Sequence, residues 1–122
     1  MIAIDHVFVL AVEPHSSAQF LADILGLPPA APCGAEGEMS RLQIGHSGAL
    51  QYHPADVVPG QHIAFRVDAE TFGAVVTRLH GKGVVFGNDP EDPANMRTDD
   101  FLGGYGRVFF RDPNGHLFEV IA

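Results

Sequence analysis

The feature that most constrains this chain is an internal repeat. Asp5-His6-Val7-Phe8-Val9-Leu10 is matched 56 residues on by Gln61-His62-Ile63-Ala64-Phe65-Arg66, and helix-like periodicity follows each. A unit made of one strand, one helix and a few further strands is apolar on one side only. It cannot bury that side unaided, so a chain holding two such units must pair them. With 122 residues there is room for one domain of two units, about 1–56 and 60–122.

Local signals give the same order twice. In the first unit Ile2 to Ala11 reads as a strand, rich in β-branched residues. Ser16 with Gln19 has capping-box spacing, Phe20, Leu21, Ile24 and Leu25 share a helical face, and Gly26 suits a left-handed stop. Pro28 to Gly37 reads as loop, with Cys33 as an ordinary loop thiol. Arg41 to Ile44 and Ala49 to His53 read as strands turned by Ser47-Gly48. In the second unit His62 to Val67 is a strand and Asp68 an acidic N-cap. Phe72, Val75, Val76 and Leu79 define a helix stripe, with Gly81 at its end. Val84 to Phe86 is a strand, and Asn88 to Gly104 a long acidic connection suited to a mobile, solvated loop over a site. Arg107 to Arg111 and Leu117 to Ile121 form a hairpin about Asp112-Pro113-Asn114-Gly115, a type I turn with a bulge glycine. The predicted fold is α+β: paired βαβββ units forming a curved, eight-stranded mixed sheet with helices outside.

Charge narrows the function. A formal net charge of −8 disfavours nucleic acid and anionic membranes, both of which call for basic surface. A single cysteine permits no intrachain disulfide, and the sequence shows neither a signal-like segment nor a long apolar span, so a cytoplasmic protein is expected.

Strand alternation decides which side chains share a face. His6 goes with Phe8 and Leu10, His62 with Ala64 and Arg66, and Glu119 with Leu117 and Ile121. Two histidines and a carboxylate, each set in an apolar strand, are the ingredients of a divalent-metal site with open positions. By the repeat, Gln51 is the counterpart of Glu119. His53 shares a face with Gln51 and could reach a substrate. Arg66 could clamp a substrate carboxylate, Phe8 and Phe109 could form pocket walls, and Tyr105 a lid. His15, His46, His80 and His116 read as solvated or structural, with His116 exposed after the turn.

The closing Arg111-Asp112-Pro113-Asn114-Gly115-His116-Leu117-Phe118-Glu119 segment, with the Asp5-His6 and Gln61-His62 strands, resembles the vicinal oxygen chelate superfamily over essentially the whole chain. That superfamily includes glyoxalase I, extradiol dioxygenases, fosfomycin-resistance transferases and bleomycin-resistance proteins. The resemblance implies a divalent metal (Fe, Mn, Ni, Co or Zn) held by His6, His62 and Glu119. Gln51 would be the catalytic or fourth-ligand position, and the substrate a small molecule with vicinal oxygens. It also implies a homodimer, with His6 and Gln51 from one subunit and His62 and Glu119 from the other. Phe109 replaces the tyrosine of extradiol dioxygenases, and Gln51 replaces the glutamate of bacterial glyoxalase I. Lyase or isomerase chemistry is therefore placed slightly ahead of oxygenase chemistry. The competing expectation is a metal-independent protein that sequesters a small molecule.

Overall fold

A computed structural model describes residues 1–122. Two compact units, Met1–Pro59 and Gly60–Ala122, divide the chain. The first contains β1 (His6–Ala11), α1 (Pro14–Leu25), β2 (Ala31–Cys33), β3 (Met39–Gln43) and β4 (Ala49–Pro54). The second contains β5 (His62–Arg66), α2 (Ala69–Gly81), β6 (Phe86–Gly87), β7 (Arg107–Arg111) and β8 (Leu117–Ile121). Each is a βαβββ unit with one four-stranded mixed sheet, ordered β1-β4-β3-β2 and β5-β8-β7-β6. The first and last strands of each unit run parallel, and the remaining pairs are antiparallel. The expected α+β architecture is present, its eight strands divided between two sheets.

In the first unit Val9, Ala11, Leu42, Leu50 and Tyr52 are buried together with Ala18, Leu21, Ala22, Ile24 and Leu25 of α1. In the second, Val108, Phe110, Phe118 and Val120 are buried with Phe72, Val75 and Leu79 of α2. Phe110 and Phe118 lie 5.7 Å apart between ring centroids. Each fully buried Leu, Ile or Phe contributes about 1.5–3 kcal/mol. Gly106 lets α2 settle against the start of β7, because a Cβ there would run into the Phe72 ring.

The hairpin that carries Glu119 is fixed by its turn. The Asp112 carboxylate accepts from the backbone N–H of Asn114 at 2.9 Å and of His116 at 3.0 Å. Gly115, at φ 89°, supplies the left-handed residue. The register that follows sets Glu119 between Ala64 on β5 and Phe109 on β7.

Several local expectations are corrected. Pro14 opens α1 with Glu13 as N-cap and no side-chain cap, so Ser16 and Gln19 form no capping box. Proline at the first turn is already set for helical φ, and Gln19 instead bonds Asp23. Within the stretch read as loop, Ala31–Cys33 pairs with β3 as the sheet's edge, a position that tolerates Pro32. The left-handed stop of α2 is Gly83, at φ 66°; Gly81 remains helical. β1 starts at His6 and β6 is only Phe86–Gly87. His116 is buried rather than exposed, its Nδ1 accepting from Gln61 N–H at 3.0 Å. The long acidic connection is tied down by its own amides. Asn88 Nδ2 donates to Asp99 O at 2.8 Å and Asn95 Nδ2 to Asn88 Oδ1 at 2.8 Å, while Arg107 N–H reaches Thr98 O. The Gly26 stop, at φ 72°, and the Asp68 cap, accepting from Thr71 N–H, are as expected.

Candidate metal centre

In the first unit β1 presents His6 and Phe8 on the face away from the buried Val9 and Ala11. His6 Nδ1 lies 2.7 Å from Asp5 Oδ2. An ionised carboxylate only accepts, so the Nδ1 proton points at Asp5 and Nε2 is left as the nitrogen able to offer a lone pair. The same hydrogen bond, followed by the charge of Arg41, holds the Asp5 carboxyl below its ordinary value. Phe8 stacks on His6 with centroids 5.6 Å apart and lies against His53 at 3.7 Å. Gln51, half-buried on β4, stands opposite Phe8 on one side and Arg41 on the other. The Nε2 atom of His53 is buried with no hydrogen-bond partner.

In the second unit the position equivalent to Gln51 carries a carboxylate, Glu119. His62 Nε2 is 2.8 Å from Glu119 Oε1, and the Phe109 ring is 6.0 Å from the His62 ring. Glu119 is 6% exposed. Its other oxygen, Oε2, accepts from Arg107 Nη1, and Arg107 Nε donates to Asp100 Oδ1 at 2.9 Å. Asp100 also accepts from the N–H groups of Leu102 and Gly104 at 3.0 Å each. The Arg107 hydrogen bond, with that of Leu102 N–H, holds the Asp100 carboxyl below its usual value. Burial disfavours the Arg107 charge, yet the bonds to Asp100 and Glu119 outweigh it and raise its pKa.

Donor chemistry fits a divalent ion. In a shell with bonds of about 2.1 Å, neighbouring donors stand about 3 Å apart. The 2.8 Å between His62 Nε2 and Glu119 Oε1 is close to that separation. Imidazole and carboxylate together suit first-row transition metals. Within the chain, no group of three or more His, Cys, Asp or Glu side chains gathers. His62 and Glu119 are brought together, whereas His6 and Gln51 belong to the other unit.

The remaining candidates separate. Arg66 is exposed at the end of β5, in register with Ile121. Tyr105 sits edge-on to Phe72 at 6.0 Å, and with Phe72, Gly73, Val76, Thr98 and Asp99 it lines a cavity of about 490 Å³ that none of His62, Phe109 and Glu119 lines. Arg107 and Asp100 were missed by sequence reading. Arg107 was findable, because alternation from Phe109 puts it on the Glu119 face; Asp100 lies within an irregular segment and gave no periodic signal.

Comparison with known proteins gives relatives for this chain. The family model of the Glyoxalase/Bleomycin resistance protein/Dioxygenase superfamily matches residues 3–120. Among solved structures, Oxidase ChaP-H1 is 29% identical with a TM-score of 0.90, covering 100% of this chain and 96% of that one. Oxidase ChaP-H2 is 30% identical with a TM-score of 0.89, covering 99% and 93%. The fosfomycin resistance protein FosX from Listeria monocytogenes shares the fold at 18% identity and a TM-score of 0.73, covering 100% and 93%. A comparison with curated proteins gives no match. No helix is long and apolar enough to cross a membrane.

Proposed function

The chain belongs to the Glyoxalase/Bleomycin resistance protein/Dioxygenase superfamily, and from that premise we propose that it is a divalent-metal-dependent enzyme acting on a small oxygen-rich molecule, with oxidation its reaction class. The observation that carries this reading is the His62 Nε2–Glu119 Oε1 pair at 2.8 Å, placed on one sheet face by the register of β5 with β8. His62 and Glu119 would hold the metal together with His6, whose Nε2 is left available by the bond from Nδ1 to Asp5. Bound there, the ion would act as a Lewis acid or redox centre for adjacent substrate oxygens. The chain's own residues do the rest. The Gln51 amide donates to a substrate oxygen, and the Phe8 and Phe109 rings wall the face.

Oxidation is now set ahead of the lyase or isomerase chemistry expected from sequence. Its support is the likeness to two proteins called oxidases, at 29% and 30% identity. Phe109 in place of a tyrosine still argues against extradiol ring cleavage, and the neutral Gln51 offers no base for glyoxalase chemistry. The ligand set draws on both units, and we place its two halves on different chains of a homodimer. Mixing His6→Ala with Glu119→Ala chains tests this: recovered metal binding in the mixture supports shared sites, and none counts against them.

A second reading has its own observation. Both Glu119 oxygens are already paired, one with His62 and one with Arg107, so the carboxylate is satisfied without an ion. A ligand-sequestering protein would look the same. Oxygen uptake by iron-loaded protein across a panel of polyhydroxylated aromatics and hydroxyketones separates the two. Uptake lost in Glu119→Ala supports the enzyme; stoichiometric ligand binding that survives chelation, with no uptake, supports sequestration.

A further inference from the structure

Arg107 is an expensive residue to bury beside a metal ligand, and the equivalent position of the first unit carries Met39 instead. In the first unit, Gln51 pairs with Arg41 across β3 and β4, as Glu119 pairs with Phe109 across β7 and β8. Two residues before Arg41 comes Met39; two before Phe109 comes Arg107. The Arg107 position therefore carries a cation only in the unit with the glutamate, while the first unit has its arginine, Arg41, at the Phe109 position. It is also held from behind: its Nε donates to Asp100, whose side chain is 4% exposed and is itself fastened by two backbone N–H groups.

We infer that Asp100 and Arg107 are positioning residues for Glu119, fixing it as a one-oxygen metal ligand and tying the 88–104 connection to the site. This rests on the metal-dependent reading above. Arg107 Nη1 engages Oε2, which leaves Oε1 as the oxygen presented to His62. The planar guanidinium can bond two carboxylates in fixed directions at once, which a lysine ammonium on a flexible stem does poorly. A free glutamate at this position could rotate about its last torsion and offer both oxygens or neither. Outer partners of this kind typically govern metal affinity by about 10–100-fold.

Charge alone predicts the opposite sign. Removing a cation near a divalent ion relieves repulsion and should tighten binding. The two accounts are therefore separable by titrating Co(II) into metal-stripped full-length protein, reading affinity and the visible absorption of the bound ion. Arg107→Met should bind about 10–100-fold more weakly, with an altered absorption band as Glu119 changes its mode. Arg111→Met, an exposed arginine on the same strand, should bind as wild type. If Arg107→Met does not fold, Arg107→Lys decides: weaker binding with a shifted band supports positioning, and wild-type affinity and band overturn it. Equal or tighter binding by folded Arg107→Met overturns the inference while leaving the metal site standing. Wild-type protein that binds no Co(II), Fe(II), Mn(II), Ni(II) or Zn(II) defeats the metal reading itself.

Discussion

Asp5 Oδ2 accepts the Nδ1 proton of His6 at 2.7 Å, and this fixes which imidazole nitrogen the first unit can offer. Both residues reach solvent, with side chains 81% and 37% exposed, so the bond contributes little to folding. Its value lies in the tautomer. Asp5→Asn is expected to leave the melting temperature nearly unchanged while weakening metal binding by about 10-fold or more. Calorimetric titration with a divalent ion measures it, and nitrogen NMR shifts of His6 report the tautomer. Unchanged affinity would mean that His6 needs no such orientation.

The Asp100–Arg107 ion pair gives the second unit a pH dependence whose sign follows from the shift. Asp100 titrates lower in the folded chain than its ordinary 3.8, chiefly through Arg107. A depressed carboxyl contributes stability that is fully present above the unfolded value and is lost as pH falls through the folded one. Wild-type stability should therefore fall from just below pH 4 downward. Asp100→Asn should be less stable near neutrality and show a shallower acid limb. Urea midpoints collected between pH 2.5 and 6 test this; parallel curves for the two proteins would refute the pair's contribution.

Two glycines separate backbone strain from packing. At Gly115 a Cβ would meet nothing within 4 Å, but φ is 89°. Gly115→Ala is expected to cost about 1–2 kcal/mol, all of it conformational. Gly73 is equally open and helical, so Gly73→Ala should stabilise by about 0.5–1 kcal/mol. Denaturant midpoints with unchanged m-values would show both; an unchanged midpoint for Gly115→Ala would count against the turn geometry, and a lowered one for Gly73→Ala against an open helical site.

The fold was largely legible because repetition is a coarse signal. Strand, helix and hairpin recur in order, and the β7–β8 hairpin bounds followed from one turn sequence read with alternation. Misreadings fell where one residue type serves two ends. Proline began α1 and sat in edge strand β2, places where its missing N–H does no harm, yet local rules read Pro32 as loop. His116 followed a turn glycine and so looked exposed, although its burial depends on Gln61, 55 residues away in sequence. At the site, alternation placed His62 and Glu119 on one face of β5 and β8. It could not supply Asp100, which reaches Arg107 from a segment with no period to read.

Whether His62 and Glu119 hold a metal is read from the metal content of the protein. Protein purified without chelators, wild type beside His62→Ala, would be measured by elemental analysis. His62 is half-exposed but bonds the buried Glu119, which keeps Arg107, so its loss should cost about 1–3 kcal/mol, and circular dichroism would check that the variant is folded. Wild type should carry about one ion per chain, and the variant should lose it. Wild-type protein without metal, and with no thermal shift on adding Fe(II), Mn(II), Ni(II), Co(II) or Zn(II), would contradict the metal site and leave the His62–Glu119–Arg107 chain as a structural ion-pair network in a ligand-binding protein.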